Sequence, residues 1–147
     1  MLISVLANSA REGIVTDRGT LGISKLDQVA INVHDLNRAV AFYRDVLQLP
    51  HLFTAGDKLA FFDCGGTRLM LSKPEKAEFD HPGSILYFKV PDIHAAHARL
   101  FERKVQIEDA PHLIAKMGNF DLWMFFFRDS ENNLLALSCE LPPDPQS

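Results

Sequence analysis

The chain repeats itself, and this constrains its fold more than any other feature, because two copies of one supersecondary unit must fold alike and pack as a pair. Displacing the sequence by 57 residues lays Val33-His34-Asp35-Leu36 on Val90-Pro91-Asp92-Ile93 and Ala39 on Ala96. Each copy runs from a strand-like segment, residues 26–33 or 84–90, through an Asp placed to cap a helix, into apolar residues at helical spacing. In the first helix, expected over 36–48, Leu36, Ala39, Val40, Tyr43, Val46 and Leu47 share a face; over 93–104, Ile93, Ala96, His97, Leu100 and Phe101 do the same. One-faced helices cover one side of a sheet.

A second match, displaced by 66, places Asp63, Leu69, Leu71 and Ser72 on Asp129, Leu135, Leu137 and Ser138. Both copies therefore close on a hairpin, turning at Gly65-Gly66 and at Glu131-Asn132-Asn133. The nine-residue difference between the two displacements is an insertion between the second helix and its last hairpin, expected at 111–121. The remaining strands are expected near 51–55, 59–63 and 68–73 in the first copy, and near 105–109, 112–128 (broken in the middle) and 134–140 in the second. The fold class is α+β: two βαβββ modules, 25–74 and 83–140, forming a cupped, mixed, largely antiparallel sheet with helices on its outer face. Residues 25–140 make one domain, preceded by an appendage or linker over 1–24 and followed by a tail over 141–147.

Composition narrows the function classes. With 147 residues, 47% of them hydrophobic, the chain can bury a real core. A net charge of -4 with no Lys or Arg tract argues against a nucleic-acid partner. Cys64 and Cys139 form no CxxC pair, which disfavours a disulfide framework and a thiolate zinc site and suits a reducing, cytoplasmic compartment. The apolar run at 2–7 is too short to span or enter a membrane, so no membrane partner is expected.

Two stretches resemble a known family. Leu26-Asp27-Gln28-Val29-Ala30-Ile31-Asn32-Val33, followed by Asp35-Leu36, Ala39 and Phe42-Tyr43-Arg44-Asp45-Val46-Leu47, is similar to the first strand and helix of the vicinal oxygen chelate superfamily of glyoxalase, bleomycin-resistance and extradiol dioxygenase proteins. The segment from Phe127-Arg128-Asp129 to Leu134-Leu135-Ala136-Leu137 resembles that family's closing hairpin. The resemblance implies a homodimer and a cup between the modules. In metal-dependent members the cup holds a divalent cation on one residue from the first and last strand of each module. It does not imply one activity, because the scaffold hosts isomerases, epimerases, dioxygenases, thiol transferases and drug-binding proteins.

Carried onto this chain through the repeat, those four positions are Gln28, Met70, Ile85 and Ala136. Only Gln28 offers an oxygen donor, and one amide cannot hold a cation that wants four to six N or O ligands. No cofactor is therefore expected, a divalent metal at a rearranged site being the alternative. Strand parity extends the lining to Asn32, Arg68 and Tyr87, with Ala30, Ser72 and Ser138 between them. Arg68 and Lys89 are candidates to meet an anionic group on a ligand, with surface solvation the favoured role for Lys89. The sole Trp, Trp123, is a candidate to stack on a planar ligand, although an aromatic strand is more often core. The reading favoured is a metal-free small-molecule-binding protein for a planar or aromatic ligand. The alternative is a glyoxalase-, isomerase- or dioxygenase-type enzyme in which His112 and Glu140 supply a rearranged metal or acid/base site. His34, His51 and His81 read as turn or strand-edge residues, and His94 and His97 as packing residues of the second helix.

Overall fold

A computed structural model describes residues 20–145. Of the expected N-terminal appendage, 1–19 lie outside the described residues, and 20–24 are exposed without regular structure; 146–147 of the tail also lie outside. The first module comprises β1 (Gln28–Asn32), α1 (Leu36–Ala41), which continues as a π-helical turn (Phe42–Val46), β2 (His51–Ala55), β3 (Leu59–Cys64) and β4 (Thr67–Ser72). After a 3₁₀ turn at Ala77–Phe79, the second comprises β5 (Leu86–Lys89), α2 (Ile93–Glu102), β6 (His112–Lys116), β7 (Asp121–Arg128) and β8 (Leu134–Leu141). No described helix is long and apolar enough to cross a membrane.

Local chemistry sets these boundaries. The Asp35 carboxylate accepts from Arg38 N and that of Asp92 from Ala95 N, each at 3.0 Å, so both helices begin on the expected side-chain cap. Gly65 and Gly66, at φ 61° and 94°, make the two-residue turn that joins β3 to β4, a conformation open to Gly at both positions. In the second module the equivalent turn is built differently: Asp129 Oδ1 accepts from Glu131 N and Asn133 N, each at 2.8 Å, and Asn132 takes a positive φ.

The eight strands form two four-stranded mixed sheets, ordered β1-β4-β3-β2 and β5-β8-β7-β6, rather than one continuous sheet. In each, the first strand runs parallel to the last and the hairpins are antiparallel. The segment 105–109, expected as a strand, makes only an isolated bridge, Ile107 to Phe127. The outer edge of β7 is shared: β6 pairs with it as far as Met124, leaving only its far end to 106–109. The expected insertion at 111–121 is instead largely β6 and its turn. β6 starts 19 residues after α2 starts (112 against 93), whereas β2 starts 15 after α1 (51 against 36), so four extra residues precede β6.

The helix-covered faces of the two sheets join in a single hydrophobic core, in which Ile31, Tyr43, Phe62 and Leu71 of the first module meet Ile93, Phe125, Phe127 and Leu135 of the second. Polar links cross the same seam. The fully buried Tyr43 donates its hydroxyl to Asp129 Oδ2 at 2.6 Å, and Arg103 donates to Val46 O at 2.6 Å. Glu131, its side chain 3% exposed, accepts from His34 N at 2.5 Å and from Arg38 at 2.6 Å, so a carboxylate of one module serves the start of the other module's helix. Burial opposes ionisation of Glu131, but the His34, Arg38 and Asp35 donors outweigh it and hold its pKa below the usual carboxylate value.

Candidate functional site: two open cup faces

Alternation along each strand decides which side chains reach the faces opposite the helices. In the first sheet Ile31, Leu69, Leu71, Ala60 and Phe62 are buried toward α1, so Gln28, Ala30, Asn32, Phe61, Arg68, Met70 and Ser72 occupy the other side. In the second, Phe125, Phe127, Leu135, Leu137 and Cys139 are buried toward α2, which leaves Tyr87, Lys89, Met124, Phe126, Arg128, Ala136, Ser138 and Glu140 on the open side.

Of the residues expected to meet a ligand, Gln28, Arg68, Met70, Tyr87 and Ala136 lie on these faces. Gln28 Oε1 accepts from Arg68 Nε at 2.7 Å, and its amide nitrogen lies 3.8 Å from Met70 Sδ. Ala136 is fully buried between its register neighbours Tyr87 and Phe126, whose rings meet edge to face at 6.0 Å. A methyl side chain there is what lets the two rings close over the strand. Ile85 sits just before β5 and beside a shallow depression of about 440 Å³ shared with Tyr87, Glu108, Phe126 and Arg128. Asn32 is committed elsewhere: its amide donates to Phe79 O at 2.6 Å and His81 O at 3.0 Å, tying down the inter-module segment.

Trp123 does not reach the cup. It shares strand parity with the fully buried Phe125 and Phe127, pairs with buried Cys139, and meets His94 edge-on at 5.7 Å beneath α2. The period of two along β7 therefore turns it to the helix side, where it is partly buried and packs against the core; there His97 of α2 meets Phe125 edge-on at 5.0 Å. The rings that do line the cups are Phe53 and Phe61, stacked at 4.6 Å on the first sheet, and Phe126 with Tyr87 on the second. Carrying the parity reading through the hairpins, from Met70 across to Phe61 and from Ala136 across to Phe126, would have found them in the sequence.

His112 and Glu140 do not form a pair. His112 opposes Met124 and Glu140 opposes Leu122, so β7 and two residues of register separate them. His112 Nδ1 is bonded to Ala110 O at 2.9 Å with Asp109 at 3.4 Å, and Glu140 is paired with Lys89 at 3.2 Å. The four positions that hold metal in related proteins do not fit a divalent cation here. Their one oxygen donor, Gln28 Oε1, already accepts a hydrogen bond from a guanidinium, which also places positive charge beside it. Among the described residues no group of three or more His, Cys, Asp or Glu is arranged to hold a metal. A larger depression, about 500 Å³, lies at the seam between modules, lined by His34, Asp80, His81, Arg128, Glu131 and Asn133. Its carboxylates are engaged, Asp80 by His34 Nε2 at 2.9 Å and Glu131 as described. His34, a turn residue by sequence, thus straps the inter-module segment.

Two βαβββ modules sharing one hydrophobic core, each with an open sheet face opposite its helix, define a two-module cup protein. The chain belongs to the glyoxalase/bleomycin resistance protein/dioxygenase superfamily, whose family model matches residues 25–137. It is 29% identical over 126 residues to the uncharacterized protein YraH of Bacillus subtilis (strain 168), covering 77% of this chain and 96% of that one. Among solved structures it is similar to a lactoylglutathione lyase from Agrobacterium tumefaciens, with TM-score 0.65, 24% identity, and 80% and 95% of the two chains covered. It is also similar to a member of the same superfamily from Sphaerobacter thermophilus DSM 20745, with TM-score 0.68, 22% identity, and 80% and 98% covered. At these identities the structural likeness speaks for the fold alone.

Proposed function

We propose that this protein binds a planar or aromatic small molecule on its cup faces without a divalent metal, and that two copies of the chain complete the binding cup. The observation that carries this reading is the pair of aromatic contacts on the open faces, Phe53 with Phe61 and Tyr87 with Phe126. Rings left at the surface on the side of a sheet away from its core are the walls a planar ligand needs. Tyr87 is 51% and Phe53 53% exposed. The dimer is supported by the strand order: β1 and β5 are edge strands, and open edges invite pairing with a second chain.

Elemental analysis of protein purified without chelator, combined with a thermal-shift screen of planar aromatic compounds, tests the reading. The expected result is no stoichiometric metal and a rise in melting temperature for a subset of planar compounds, with a dimer in sedimentation. A ligand at a hundred times its Kd stabilises by about 2.7 kcal/mol, readily seen in such a screen. Stoichiometric Ni, Fe, Mn or Zn would overturn the metal-free assignment.

A further inference from the structure

We infer that Arg68 is the anion anchor of the first cup face and that Gln28 is its positioning residue, so that the ligand is a planar aromatic carboxylate. The inference rests on the planar-ligand reading above and narrows it. Its basis is how the guanidinium is held. Gln28 Oε1 takes the Arg68 Nε hydrogen at 2.7 Å, and the Arg68 Cζ stands 5.8 Å from the Phe61 ring centroid. Its remaining partner is an exposed ion pair: Asp27 Oδ2, on a side chain 73% exposed, lies 3.7 Å from Nη2, beyond hydrogen-bond reach and open to screening by solvent. Asp63, opposite Arg68 on β3, instead accepts from Gly66 N at 3.2 Å. Among the described residues the two terminal nitrogens of Arg68 thus make no hydrogen bond, while the root of the fork is fixed.

The other cations that strand parity places on the cup faces are spoken for. Lys89 is closed by Glu140 at 3.2 Å, and Arg128 contacts Glu108 and Asn132 O. Arg68 alone combines an oriented, open fork with an aromatic slab, Phe61 stacked on Phe53. A guanidinium fork matches the two coplanar oxygens of a carboxylate, and a carboxylate conjugated to a ring lies in the plane that stacking on Phe61 requires. The nearby Asp27 and Asp63 charges favour a monoanion over a doubly charged phosphate. At the position where metal-dependent relatives place a ligand, Gln28 therefore orients an organic cation, which supplies positive charge to the cup.

The experiment compares 2-naphthoate with its neutral counterpart 2-naphthamide by calorimetric titration of the full chain at low salt. The expected result is a preference for the acid of about tenfold or more, as charge-assisted pairing gives. In Arg68→Met that ratio should fall to about one. In Gln28→Glu, which keeps an acceptor for Nε but neutralises the guanidinium, it should fall likewise. Gln28→Leu should reduce the ratio without abolishing it, a change that a purely structural role for Gln28 would not produce. Circular dichroism checks that each variant is folded, and Arg68, 44% exposed, is not part of the core. Equal affinity for the two probes, or a preference that survives Arg68→Met, overturns the anion assignment and leaves the planar-ligand reading standing. Failure of both probes to bind up to their solubility overturns both.

Discussion

Removing one hydroxyl at the seam between the modules tests whether their union is polar as well as apolar. Tyr43→Phe keeps the ring in place against Phe62, at a centroid distance of 6.0 Å, and deletes only the 2.6 Å bond to Asp129 Oδ2. Asp129 does not become unsatisfied, because Asn133 Nδ2 still donates to the same oxygen at 2.9 Å and two backbone amides hold the other. The loss should therefore be that of one buried bond to a charged acceptor, about 1.5–2 kcal/mol. For a domain of this size that is a fall in Tm of roughly 4–8 °C. Asp129→Ala strips the acceptor from Tyr43 and from the whole hairpin turn at once and should cost about 3–5 kcal/mol. Because the two residues touch, the double variant should fall short of the summed losses by about 1 kcal/mol. Urea titrations at one fixed protein concentration, followed both by far-ultraviolet circular dichroism and by Trp123 fluorescence, measure all four species. Coincident transitions are expected if the modules unfold as one. A loss under about 0.5 kcal/mol for Tyr43→Phe, or strict additivity in the double variant, would refute the claim that this bond fastens the modules.

Two further outcomes follow from the packing. The pKa of Glu131 is lowered in the folded chain relative to its ordinary value of 4.5, so its ionised form adds stability that is complete above that value and is lost as pH falls through the lower, folded one. Urea midpoints for Glu131→Gln and the parent should accordingly converge as pH falls below 4.5; a gap that stays constant as the solution is acidified would show that the charge is not what His34 and Arg38 hold. Trp123→Ala should destabilise by about 2–4 kcal/mol while leaving ligand affinity in the titrations unchanged, and a loss of affinity at unchanged stability would return Trp123 to the cup.

Fold class was legible in the sequence because it is written in periods. The displacement of 57 marks strand, cap and helix twice, and Asp35 and Asp92 cap their helices as their spacing demands. Which side of a strand a residue takes is also local, so Gln28, Arg68 and Met70 fall on the open face of the first sheet, and Tyr87 and Ala136 on that of the second, by counting alone. Trp123 was misplaced because its chemistry, rather than its parity with Phe125 and Phe127, governed the expectation. The strand expected at 105–109 failed for a different reason: hydrophobic alternation says that a segment will lie along a sheet, not whether β6 has already occupied that edge.

What the sequence determined by itself is the doubled module with its caps and turns; the four positions without a donor set for a divalent cation follow from it only through the family resemblance. The caps and turns depend on residue type and on spacings of a few residues, and the doubling on two long displacements, 57 and 66, that repeat those short patterns. Only the tertiary structure decided how the modules meet. It joined their helix faces in one core and brought Glu131 to the start of a helix 93 residues away from it at Arg38. It also decided what Gln28 does, because the orientation of an amide depends on the guanidinium placed beside it by a strand 40 residues distant. Contacts of that separation leave no period in the chain, so they appear only once the strands are in register.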